Sequence, residues 1–174
     1  MNAGVPSVRR IRADEGRFLY EIRLRALADS PLAFGSTLAA TSAIPTAVWA
    51  ERARVSAAGE ERVMFVAEIA DEWVGLAGGF FDEAQPGDPE VVSMWVDPRW
   101  RRSGLAGRLL DAVIGWAHFR GAAQIHLWVT EGNEPAIALY ERFGFAFTGE
   151  SAPLPSAPAL TELRMERSST LSGE

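Results

Sequence analysis

The densest chemistry in the chain lies at residues 96–108, which read VDPRWRRSGLAGR. A β-rich run breaks at Pro98 and enters a helix through a turn that holds Gly104 and Gly107. Glycine there lets the backbone come close to a ligand, and the first amides of a helix lack partners and carry a partial positive charge. Arg99, Arg101, Arg102 and Arg108 add four positive charges within ten positions. Such a turn suits a multiply charged anion such as a pyrophosphate. The spacing is not G-x-G-x-x-G. All 17 basic residues are arginines, so Walker, Schiff-base and kinase lysines are absent as well.

Other polar side chains fall where a strand or helix would aim them at a common cleft. On an ideal strand Glu90 shares a face with Val92, Met94 and Val96, an alternation that a bulge would break. Tyr140 lies on the stripe Ala136, Leu139, Tyr140, Phe143, so it reads equally as a core tyrosine. Asn133 precedes Glu134 and Pro135, the place of a helix N-cap. His126, between Ile125 and Leu127, reads as a structural histidine rather than a base. Trp95, Trp100, Trp116 and Trp128 read as core, and Trp95 with Phe34 is also a candidate for shaping an acceptor pocket. The acidic run Asp82, Glu83, Asp88 reads as solvated charge.

The elements that must position these residues follow from periodicity. A short strand is expected at 8–12, then a helix capped by Asp14 and running to 28, and a second helix from 45 to 58. Strands follow at 62–69 and 73–81 with hairpin spacing, then a loop at 81–89 and a strand at 90–96. A helix at 103–120, a strand at 124–129 and a helix at 133–143 come next. Residues 151–159, SAPLPSAPA, read as a connection, 160–166 as a last strand and 168–174 as a flexible tail. Strands that begin antiparallel and then alternate with helices imply an α/β domain, a mixed twisted sheet of six or seven strands with about four helices, over residues 1–167.

Composition sets the limits. A chain of 174 residues with 48% hydrophobic and 23% charged residues is long enough for one well-buried core. It carries no membrane-length apolar run and no recognisable secretory signal, which makes the cytoplasm the expected location. With no cysteine and two histidines, thiolate chemistry and a histidine-rich metal centre drop out, and no metal is expected. A net charge of −6 disfavours a broad grip on nucleic acid.

With these residues in view, the chain resembles the GNAT family, the GCN5-related N-acetyltransferases. Their acyl-CoA loop Q/R-x-x-G-x-G/A is met by Arg101, Gly104 and Ala106, and the preceding V-x-P by Val96 and Pro98. The later N-x-x-A-x-x-L-Y-x-x-x-G-F is met by Asn133, Ala136, Leu139, Tyr140, Gly144 and Phe145, and the 27–36 stretch is like that of many bacterial members. The resemblance implies acetyl-CoA as cosubstrate, with pantetheine bonded to the backbone of Met94, Trp95 and Val96. Its pyrophosphate would take the amides of Arg101, Arg102, Ser103, Gly104, Leu105 and Ala106. It further implies an amide near Met94 that polarises the thioester, Asn133 in contact with the cofactor, Tyr140 as the acid for the departing thiolate and Glu90 as general base. The implied reaction is acetyl transfer to a primary amine of a small molecule by direct attack. A protein or peptide amine, or an acyl-CoA sensor without turnover, remains the alternative. Paired protomers are frequent in the family, so a homodimer is admitted.

Overall fold

The computed structural model describes residues 4–169. Its first half is an antiparallel meander: β1 (Ser7–Arg10), β2 (Arg62–Ile69), β3 (Glu72–Phe80) and β4 (Glu90–Val96) pair in that order. Between β1 and β2 the chain forms α1 (Gly16–Asp29), a short 3-10 turn (Pro31–Ala33), α2 (Leu38–Ser42) and α3 (Thr46–Ala58). A second 3-10 turn (Pro98–Trp100) leads into α4 (Leu105–Phe119), followed by β5 (Gln124–Thr130), α5 (Glu134–Arg142), β6 (Ala146–Leu154) and β7 (Ala157–Ser168). Among the described residues the sheet has seven strands in the order β1-β2-β3-β4-β5-β7-β6, with five α-helices. The expected mixed sheet is present, and the fifth helix is the five-residue α2.

Period-two alternation distributes β2 between two cores. Val63 and Ala67 face the layer formed with Leu109, Val113 and Ile125, whereas Met64 and Val66 face Leu19, Ile22 and Trp49 of α1 and α3. β3 is buried without interruption from Trp73 to Gly79, as a central strand covered on both faces must be. At Gly79 the helix α4 comes so close that a Cβ would lie 2.7 Å from Cζ3 of Trp116. Any side chain there would push α4 off the sheet.

Several boundaries differ from the sequence reading. Asp14 is not the cap of α1. The residue before the helix is Glu15, whose carboxylate instead accepts from the Arg12 amide at 2.8 Å and from the Arg9 guanidinium at 2.7 Å. The 151–159 stretch is no loose connection, since it supplies the end of β6, a tight turn and the start of β7. β6 lies at the sheet edge, where proline costs no ladder bond, and this is why its composition looked like a loop. Ser168 closes β7 and Ser169 is buried, its amide donating to Ala123 O at 3.0 Å, so the part of the expected tail at 170–174 lies outside the described residues.

Topology places a gap at the centre of the sheet. β4 and β5 are parallel and meet only at Glu90↔His126 and Val91↔Leu127. Beyond Val91 they diverge, and Ser93 adopts a left-handed φ of 58° while the β3–β4 register slips between Leu76 and Gly78. The backbone of β4 on the β5 side is therefore left without a strand partner from Val92 onward.

Candidate active site

The open β4–β5 junction forms a cleft of about 420 Å³, with Glu90, Val92 and Met94 on its β4 wall and Asn133 and Tyr140 on its α5 wall. Sequence alternation placed Val96 on the same face. The bulge at Ser93 shifts the alternation by one residue, so Val96 joins the core that holds Val91 while Trp95 packs into the other core on the opposite face. Trp95 does not shape the cleft either. Its indole N–H donates to Asp29 at 2.9 Å, and the Arg25 guanidinium lies over its ring on the α1 side. Phe34 does line the cleft.

At the head of α4, Gly104 is the N-cap with φ 84°, a left-handed conformation that glycine adopts without strain. The first helical bond runs from the Arg108 amide to Gly104 O at 3.2 Å, so the amides before it have no intrahelical acceptor. The space above Gly104 is open, with no heavy atom within 4 Å of where a Cβ would stand. These are the features of an anion-binding turn.

The four arginines contribute less to that turn than their spacing suggested. Arg99 pairs with Asp97 at 2.9 Å and Glu72 at 2.5 Å, and Arg108 donates to Pro6 O at 2.7 Å. Arg101 donates to Val96 O at 3.0 Å and makes a close ion pair with Asp29, fixing the turn against α1. Arg102, held at φ 61°, is the one whose side chain has no protein partner among the described residues. Gly107 does not face a ligand either, because a Cβ there would sit 2.7 Å from Cζ of Phe143. Its lack of a side chain lets α4 and α5 pack.

Asp97, nearly buried, receives the Arg99 side chain, the Arg99 amide and Arg25, which together outweigh burial and hold its pKa at about 2. Burial alone works against the Asp29 carboxylate, yet hydrogen bonds from Ser30, Trp95 and Arg101 bring its pKa below the usual range. Both carboxylates are thus structural anions that lock the strand-to-helix turn in place.

Inside the cleft Tyr140, Glu90 and Asn133 supply polar groups. Tyr140 is 7% exposed, and burial pushes its pKa up to about 12. Its hydroxyl has no protein hydrogen-bond partner among the described residues. Asn133 caps α5, its Oδ1 accepting from the Ala136 amide at 3.4 Å. Glu90 faces the cleft with His126 behind it, His126 Nε2 lying 3.7 Å from Glu90 Oε2 and Nδ1 3.4 Å from Asp88 Oδ2. Burial alone would lower the His126 pKa, and the Glu90 and Asp88 carboxylates overcome it, so the pKa is raised. Asp88, read as solvated, is in fact engaged by Arg164 at 2.8 Å.

Two cleft residues were missed from the sequence. Glu162 on β7 lines the cleft, and burial together with the Glu90 charge raises its pKa. Arg23 on α1 reaches the same space and donates to Ser93 Oγ at 3.2 Å and Ser36 Oγ at 3.1 Å. Neither belongs to a local motif, and only the sheet order brings them beside Glu90. Among the described residues no group of three or more His, Asp or Glu side chains is placed to hold a metal ion. No described helix is long and apolar enough to cross a membrane.

Comparison with known proteins agrees with this geometry. The chain is 39% identical over 88 residues to a mycothiol acetyltransferase of Thermobifida fusca, a match that covers 51% of this chain and 26% of the relative. It is 34% identical over 77 residues to the spermine/spermidine N(1)-acetyltransferase of Bacillus subtilis, covering 44% of this chain and 51% of that one. The chain thus spans about a quarter to a half of these relatives' lengths. In fold it is similar to a GNAT-family acetyltransferase from Streptococcus pneumoniae, with TM-score 0.80, 15% identity and 94% and 98% of the two chains covered. The structure of yncA from Salmonella typhimurium, solved with its cofactor acetyl-CoA, aligns with TM-score 0.78 at 17% identity and 98% coverage of both chains. A family model described as Acetyltransferase (GNAT) family matches residues 32–145, well over half the chain. This chain belongs to the acetyltransferase (GNAT) family.

Proposed function

We propose that the protein transfers the acetyl group of acetyl-CoA to a primary amine of a small molecule, by direct attack in a ternary complex. In this reading the pyrophosphate lies on the amides of Arg101, Arg102, Ser103, Gly104, Leu105 and Ala106, with Arg102 as the side chain still free to pair with it. Pantetheine runs along the β5-facing edge of β4 at Met94, Trp95 and Val96, where no strand pairs, and the thioester reaches the cleft beside Tyr140. Asn133 borders the same space.

The acceptor nitrogen attacks the thioester carbonyl carbon; a C–N bond forms, the C–S bond breaks, the nitrogen gives up a proton and the sulfur takes one. An alkylamine with a pKa near ~10 costs roughly 4 kcal/mol to deprotonate at pH 7, so a base is required. Glu90 is that base, and Glu162, with its raised pKa, shares the role of receiving the proton. Tyr140 donates to the departing sulfur. An amide near Met94 polarises the carbonyl, in the manner of an oxyanion hole.

The observation that carries the choice of a small acceptor over a protein is the roof of the cleft. The segment after α1 crosses to the far half of the sheet, where Thr130 Oγ1 donates to Leu32 O at 2.7 Å and Ser156 Oγ donates to Phe34 O at 2.5 Å. An extended peptide would have to displace those bonds. The test is a screen for CoA release with small amines alongside peptides bearing a free N-terminus or lysine. Turnover of small amines alone supports the reading, and turnover of peptides alone overturns it.

A further inference from the structure

Beside the cleft lies a second cavity of about 310 Å³, which shares Arg23, Ser36, Phe80, Val92 and Ser93 with it. Its remaining wall comes from α1, α2, α3, β2 and Ile44, and includes Arg52, Arg62 and Trp49. Three arginines line this space and no aspartate or glutamate does. That is unusual in a chain with net charge −6. Arg9, Arg25, Arg99, Arg101 and Arg164 each rest on a carboxylate, while Arg23, Arg52 and Arg62 form no ion pair among the described residues.

What these three have instead is an aromatic face each. Arg23 lies 4.9 Å from the Phe34 ring centroid, Arg52 4.7 Å from Trp49 and Arg62 4.9 Å from Phe80. Stacking uses the flat side of a guanidinium and leaves its N–H edge available for an oxyanion; at Arg52 and Arg62 that edge has no protein acceptor among the described residues, while Arg23 spends part of its edge on the Ser93 and Ser36 hydroxyls. Burial and then the neighbouring Arg52 charge lower the pKa of Arg23 to about 10, and the same two causes lower that of Arg62. Trp49 adds an indole N–H that is buried and has no acceptor. Gathering like charges around a buried donor with no acceptor costs stability that an anion offsets, chiefly at Arg23 and Trp49, since Arg52 and Arg62 are exposed.

Resting on the reading of the cleft as the acceptor site, we propose that the acceptor carries an anionic group, a carboxylate or a phosphate, which binds between Arg23, Arg52 and Arg62 while its amine reaches Glu90 and Glu162. The crevice carries both charges: Glu90 and Glu162 line the cleft with Tyr140, Arg52 and Arg62 line the adjoining cavity, and Arg23 borders both. The substrate class is therefore the amino acid or amino phosphate, and simple alkyl polyamines are disfavoured.

Two measurements test this. The first compares kcat/KM for matched amines: amino acids against their amides, and amino-alkyl phosphates against the corresponding amino alcohols. The anionic member is expected to be favoured at least tenfold, with the carboxylate and phosphate arms showing which oxyanion fits. In the double variant Arg52→Gln, Arg62→Gln the preference should fall towards unity while acetyl-CoA affinity is retained. Equal turnover of acids and amides by the wild type overturns the proposal and leaves the acetyltransferase reading intact. The second measurement needs no turnover: inorganic phosphate should raise the Tm of the wild type by more than that of the double variant, in which the anion-binding turn at Gly104 is intact. If no amine is acetylated, that difference alone decides, and its absence overturns the proposal.

Discussion

Replacing Tyr140 by Phe removes one oxygen from the cleft wall and nothing from the core. The hydroxyl makes no protein hydrogen bond among the described residues, and the ring keeps its edge contact with Phe145 at 6.0 Å. Stability should therefore change by less than about 0.5 kcal/mol. The catalytic effect follows from acidity. A phenol with a pKa of about 12 is some three to four units weaker as an acid than a thiol near 8.5, so complete transfer of its proton to a free thiolate would be uphill by about 5 kcal/mol. Tyr140 thus stabilises the leaving sulfur chiefly as a hydrogen-bond donor while charge builds up on it. Losing one such donor should lower kcat by about 10²-fold, or ~3 kcal/mol, with KM for acetyl-CoA within about twofold. Steady-state CoA release and thermal melts on the same preparations read both quantities. A folded variant with wild-type kcat would refute the reasoning and return Tyr140 to packing.

Other consequences are open to the same kind of test. Gly104→Glu should abolish acetyl-CoA binding, because the open space above the turn would then hold a carboxylate; Gly104→Ala shares the left-handed strain of about 1 kcal/mol without the charge, and calorimetry on both separates repulsion from misfolding. Glu90→Gln, singly and with Glu162→Gln, should flatten the acidic limb of the pH–rate profile, and an unaltered profile would clear both of the base role. Asp97 titrates at about 2 when folded against 3.8 otherwise, a depressed acid whose contribution of about 2 kcal/mol is present above pH 3.8 and lost as pH falls towards 2. Melts from pH 5 to 2 should show that loss in the wild type and not in Asp97→Asn. His126 has the opposite sign: its pKa is raised, so its contribution is full below about 6.5 and lost as pH rises through the folded value. An NMR titration should place its midpoint above 6.5, and a midpoint below it would mean that Glu90 and Asp88 do not face the ring.

Much of the site was legible because it is local. The strand that ends at Val96, the turn at Gly104 and the helix after it are contiguous, and Asn133 and Tyr140 belong to one short helix. What escaped the sequence depends on sheet order. Arg23 and Glu162 sit on α1 and β7, and nothing in their spacing announces that β4 and β5 part beyond Val91 and bring them beside Glu90. The charge of the turn was overestimated for the same reason. Asp29 and Glu72 neutralise Arg101 and Arg99 from distant parts of the chain. β6 was missed because an edge strand exposed on most of its length shows no alternation, and its Pro153 and left-handed Gly149 read as turn chemistry.

The most direct test of the account is isothermal titration of the wild-type protein with acetyl-CoA, and separately with NAD and ATP. Saturable one-to-one binding of acetyl-CoA is expected, with weak or no binding of the two nucleotides and loss of the acetyl-CoA signal in Gly104→Glu. Folded protein that binds no CoA ester, or a Gly104→Glu variant that binds as well as the wild type, would contradict it.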